Sequence, residues 1–167
     1  MKALNLLVFQ NVIQTQEKSE EILIDVLPIE KIQRNTIILL GAIKSKSGLS
    51  HALCYYKTPK LKRVILYALK LAGKEVSYSV LISGLSNPNI EEECHSIIIK
   101  IGSPIAPYLI SDFSRNKEAR KVIISILDII GVETVYNSLL AISKNDPELY
   151  ILVKPLLTRK KIEKSHG

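Results

Sequence analysis

The chain has 167 residues, long enough for one domain with a sizeable core, and its 47% apolar to 23% charged content excludes a disordered chain. No run approaches the ~18 consecutive apolar residues a membrane span needs, and two cysteines, Cys54 and Cys94, are too few for a disulfide scaffold and fit a reducing compartment. The net charge of +7 is uneven, with +4 on residues 154–167 and +3 on the rest, so any nucleic-acid signal is expected in the basic C-terminal end.

In chain order, "MKALNLLVFQNVIQTQ" opens with one Lys and a short apolar stretch, followed by Asn and Gln instead of a small-residue cleavage site. It reads as the start of a mature cytoplasmic chain, with a first helix over 2–14. Its segment "LNLLVF" can pack on the chain's own first unit or on a second copy, so self-association through this helix is one expectation. A helix over about 19–27 follows. Pro28 and Gly41 then bracket another, and "KSKSGLS" from Lys44 to Ser50 reads as a polar loop.

From there a period emerges. Gly73, Gly102 and Gly131 lie 29 residues apart, and the turn pairs Thr58-Pro59, Asn87-Pro88, Asn116-Lys117 and Asp146-Pro147 are spaced 29, 29 and 30. Thr, Asn and Asp cap a helix by accepting a free amide of its first turn, and Pro at the next position loses only an amide that has no partner there. Gly ends the helix by adopting a backbone conformation that other residues resist. Between these marks the apolar residues keep helical spacing: Leu61, Val64, Ile65, Ala68, Leu69 and Ala72, then Ile90, Cys94, Ile97, Ile98 and Ile101, then Ala119, Val122, Ile123, Ile126, Leu127 and Ile130. A second, shorter helix fills each interval from Gly to the next turn pair.

The chain is therefore expected to be an all-α repeat protein. It would be a right-handed α-α superhelix of four to five helical hairpins with an extra N-terminal helix, its repeats running over 17–43, 48–73, 75–102, 104–131 and 133–158 of a single domain 1–158. Gly41, Gly73, Gly102, Gly131, Pro59, Pro88 and Pro147 are its structural marks. In the last unit the core columns read Arg159 and Lys160, so 159–167 is expected to be a basic, flexible tail beyond the capping unit.

The stretches "KRVILYALKLAGKEVSYSVLISGLSNPNI" and "RKVIISILDIIGVETVYNSLLAISKNDPEL" resemble HEAT repeats, in the short form of about thirty residues of the HEAT-like, phycobilisome-lyase-type group. The resemblance rests on the Asx-Pro cap, the basic residue opening the second helix, the small mid-helix Ala68 and the closing Gly, and covers roughly 17–157. It implies an armadillo-like helical scaffold or adaptor that binds another protein through a face of the stack and is not an enzyme. The minority enzymes of the group imply features missing here: the glycosylases use Trp, of which the chain has none, and the bilin lyases a chromophore.

The candidate sites divide as follows. His51, Cys54, Cys94 and His95 have metal-ligand chemistry, but Cys94 shares a core column with Ile65 and Ile123, so no metal and no cofactor are expected. The tyrosines either cover seams between hairpins, the favoured reading, or anchor a partner. Lys62-Arg63 and Arg120-Lys121 occupy equivalent positions, and with Lys70 and the tail residues Arg159, Lys160 and Lys161 they could hold a protein partner or nucleic-acid phosphates. The intervening unit has Glu91-Glu92 there, which fits ion pairs between units equally well. Protein binding is the first expectation and nucleic-acid binding the second. Eighteen Lys to five Arg, with abundant Ile, fits an A/T-rich genome or a thermophilic source.

Overall fold

A computed structural model describes residues 15, 17–131, 133–144 and 146–165, and every regular element among them is helical. The expected helix over 2–14 lies outside the described residues. Helical residues 17–26 form α1. There follow α2 (Glu30–Ala42), α3 (Lys46–Leu53), α4 (Pro59–Ala72), α5 (Lys74–Gly84), α6 (Glu91–Ile101), a 3₁₀ turn at Ser103–Ile105, α7 (Ala106–Phe113), α8 (Arg120–Ile130), α9 (Glu133–Ser143) and α10 (Pro147–Ser165). The chain forms two compact units, residues 1–80 and 81–167, with the boundary inside α5.

In the first unit α2 packs on α4, and α3 packs on both. The apolar stripe read from the sequence of α4 is the buried one: Leu61, Val64, Ile65, Ala68, Leu69 and Ala72 are all buried. Removing each such Val, Leu or Ile from water is worth about 1.5–3 kcal/mol. In α2 the buried positions are Gln33, Thr36, Ile37, Leu40 and Gly41.

Gly41 departs from its expected role. It does not end a helix, because α2 continues to Ala42 and Gly41 has no positive φ. A Cβ there would stand 2.5 Å from the carbonyl oxygen of Ala68 and 2.7 Å from its Cα. Gly41 therefore marks the place where α2 and α4 come into backbone contact. The residue that leaves the helical region is Lys44, at φ 58, and it lies 29 residues before Gly73. Positive φ thus falls at 44, 73, 102 and 131, and the period reaches back into the first unit without the loosening that Gly41 implied.

"KSKSGLS" is likewise not a loop. Ser45 is the N-cap of α3: the Gly48 amide donates to its Oγ at 2.8 Å, and the same hydroxyl donates to Glu20 Oε1 at 2.6 Å. Five polar residues in seven hide a helix whose buried face is Gly48, Leu49, Ala52 and Leu53.

In the second unit α6 packs on α8, α7 on α8 and α9, and α10 on α8 and α9. Each helix thus meets its successor or the next but one, as in a two-layer arrangement. Phe113, Leu109, Ile98, Ile123 and Leu127 are fully buried, and Cys94 is buried at Gly84, where a Cβ would collide with its Sγ.

The turn pairs act in three ways. Asp146 is a true cap, its Oδ1 accepting the Glu148 amide at 3.0 Å and the Leu149 amide at 3.2 Å, with Pro147 at the first helical position. Asn116 Oδ1 accepts the Ala119 amide at 3.3 Å, and its Nδ2 donates to Ser86 Oγ at 2.9 Å, tying together two loops one period apart. Asn87-Pro88 instead builds an Asx turn, with the Asn89 amide on Asn87 Oδ1, and α6 begins three residues beyond Pro88. Pro59 begins α4 with no side-chain cap from Thr58.

The tail expectation is also revised. The backbone of α10 stays helical to Ser165, through Pro155 and past Arg159, so 159–165 extend the last helix. Among the described residues no helix is long and apolar enough to cross a membrane.

Candidate functional site

The close approach at Gly41 and Ala68 draws α2 and α4 together, and an open groove of about 280 Å³ is lined by Arg34 and Ile38 of α2 and by Arg63, Val64 and Tyr67 of α4. Arg34 and Ile38 are four apart, as are Arg63 and Tyr67, so each pair shares one face of its helix. Val64 is buried and Ile38 half-buried, while Arg34, Arg63 and Tyr67, the last 55% exposed, reach solvent. The groove thus combines an apolar component with two cations and a phenol.

Among the described residues neither guanidinium makes a hydrogen bond or ion pair. Two such forks can take a carboxylate or phosphate through paired N–H donors. None of the five lining side chains is a Ser, Thr, Cys, His, Lys, Asp or Glu. Among the described residues no three His, Cys, Asp or Glu come together as metal ligands. His51 and Cys54 are exposed, whereas Cys94 is in the core.

The outer face of α4, which supplies Arg63 and Tyr67, also exposes Lys62, Leu66, Lys70 and Leu71. Helix α4 contains no acidic residue.

The expected charge column separates. Arg63, Lys70 and Lys121 are exposed, and Lys62 lies over the Tyr56 ring at 5.1 Å. Arg120 is not a surface charge: it is 6% exposed, its Nε donates to the Phe113 carbonyl at 3.0 Å and its Nη2 to the Ser114 carbonyl at 3.1 Å, and its guanidinium lies over the Phe113 ring. It satisfies the carbonyl end of α7, a position left without intrahelical partners. The side chains of Arg159, Lys160 and Lys161 lie outside the described residues.

Of the tyrosines, Tyr56, Tyr78 and Tyr136 are buried, while Tyr67, Tyr108 and Tyr150 are exposed. Burial raises the Tyr56 pKa above its ordinary 10.0, and among the described residues its hydroxyl has no hydrogen-bond partner.

Arg34 and the groove escaped the sequence reading, although a signal existed. Residues 28–74 hold ten Lys or Arg and one acid, Glu30, for a net +9, whereas residues 81–153 carry −3. Dividing the charge only at residue 154 averaged these two regions together. The chain matches no family model, no curated protein and no solved structure.

Proposed function

We propose that this chain is a non-enzymatic binding module, a HEAT-like right-handed superhelix of helical hairpins that holds a partner protein in a reducing compartment such as the cytoplasm. The repeat reading is supported by positive φ at residues 44, 73, 102 and 131 and by the pairing of helices with their next-but-one neighbours within each unit. The observation that carries the function is the outer face of α4, where Leu66, Tyr67 and Leu71 stay exposed among the exposed cations Lys62, Arg63 and Lys70. Exposed apolar side chains gathered on one helix face mark interaction surfaces more often than isolated ones do.

A second reading, nucleic-acid binding, is favoured by the +9 of residues 28–74. The two part on salt and nuclease. A protein partner is captured by the immobilised chain from nuclease-treated lysate and retained at near-physiological salt. Phosphate-driven binding is lost with nuclease and falls steeply as salt rises. Labelled duplex and single-stranded DNA and RNA, titrated at two salt concentrations with and without residues 159–167, measure the second reading directly.

A further inference from the structure

We infer that the Arg34–Arg63–Tyr67 groove is the docking point for an acidic, apolar segment of a partner protein; this rests on the binding-module reading above. Three features favour that occupant. The first is charge: both guanidinia are unpartnered among the described residues, and α4 has no acid of its own to satisfy them. A carboxylate placed between Arg34 and Arg63 completes a charge-assisted contact that the chain leaves open.

The second feature is size. At about 280 Å³ the groove is just under the roughly 300–1,000 Å³ of small-molecule and cofactor sites, but it admits one large side chain. Such a side chain would meet Ile38 and Val64, with the Tyr67 ring beside it. The third is the surrounding mixture of residues. Leu66 and Leu71 of α4, the helix that supplies Arg63 and Tyr67, stay exposed at 38% and 42%. A phosphate backbone would use the cations and leave these leucines uncovered, whereas a segment alternating carboxylates with apolar residues uses both.

The test uses a short fluorescein-labelled peptide that alternates Glu and Leu around one Phe, read by anisotropy against the full chain. Arg34→Gln with Arg63→Gln is expected to weaken binding about tenfold or more, and Tyr67→Ser several-fold. A peptide with Gln for Glu is expected to bind weakly and to be indifferent to the two Arg changes, since the pairwise term is already gone. All three changed residues are exposed, and thermal melts check that the variants stay folded.

Peptide affinity unchanged by the double substitution overturns the groove assignment. So does a labelled oligouridine that binds more tightly than the peptide and loses affinity in the same variant, which makes the occupant a nucleic acid. Failure here is separable from failure of the module reading. A nuclease-resistant partner captured equally by wild type and the Arg variant leaves the module standing and removes the groove, whereas capture abolished by nuclease removes both.

Discussion

Glycines at equivalent-looking positions do different work, and φ alone does not rank them. Gly131 sits at φ 68, ψ 23, the left-handed region that Asn tolerates, while Gly102 sits at φ 69, ψ −142, where side chains are essentially excluded. Gly131→Asn is therefore expected to destabilise by under about 1 kcal/mol and Gly102→Asn by about 1–3 kcal/mol in urea unfolding. Gly41→Ala should cost a similar 1–3 kcal/mol, roughly, for another reason: its Cβ meets the Ala68 backbone, which cannot turn aside as a side chain would. An unchanged midpoint for Gly41→Ala would mean that α2 and α4 do not touch there. Tyr56 makes a pH prediction. Its folded pKa is raised above the unfolded 10.0, so above pH 10 the unfolded chain releases a proton that the folded chain keeps, and stability falls as pH rises from there toward the folded value. Tyr56→Phe should flatten that part of the pH profile and leave stability at neutral pH equal or higher, because the hydroxyl removed is buried without a hydrogen-bond partner among the described residues. Arg120→Met keeps the bulk but leaves the Phe113 and Ser114 carbonyls without their donor, and is expected to cost about 1–3 kcal/mol, read as a lower urea midpoint.

Helix α10 shows at the scale of an element what local rules miss. Pro155 lies inside it and cannot donate to the carbonyl of the residue four before, Ile151, so the helix lacks that bond and meets the proline ring. Pro155→Ala is expected to stabilise by about 1–3 kcal/mol, seen as a higher melting temperature and stronger helical circular dichroism. No gain in either signal would show that the helix does not run through that residue. Much of the element order was legible because helix stops and apolar spacing are local: the α4 stripe from Leu61 to Ala72 was read residue for residue. What hid was set by contacts made elsewhere in the chain. Composition alone makes Lys44–Ser50 a loop, yet Ser45 caps a helix there and reaches Glu20, twenty-five residues away. Gly41 reads as a stop until Ala68 is seen against it. The groove was illegible for the same reason, since Arg34 and Arg63 share it only through the packing of two helices.

Across the whole molecule, charge is segregated along the sequence. Residues 28–74 carry +9, residues 81–153 −3 and residues 154–167 +4. Replacing Lys60, Lys62, Arg63 and Lys70 with Gln, all exposed on one helix, is expected to lower the salt at which the chain leaves a cation exchanger by more than truncation after Thr158 does. The reverse order would place the dominant positive field at the C-terminus. The regular recurrence of positive φ at 44, 73, 102 and 131 has a genetic corollary. Recombination between two neighbouring codons of this set, misaligned by one period, would add or delete 29 residues and leave every remaining helix stop beside the sequence it already ended. The gene can therefore change length by whole units without passing through a frame in which a cap faces the wrong helix.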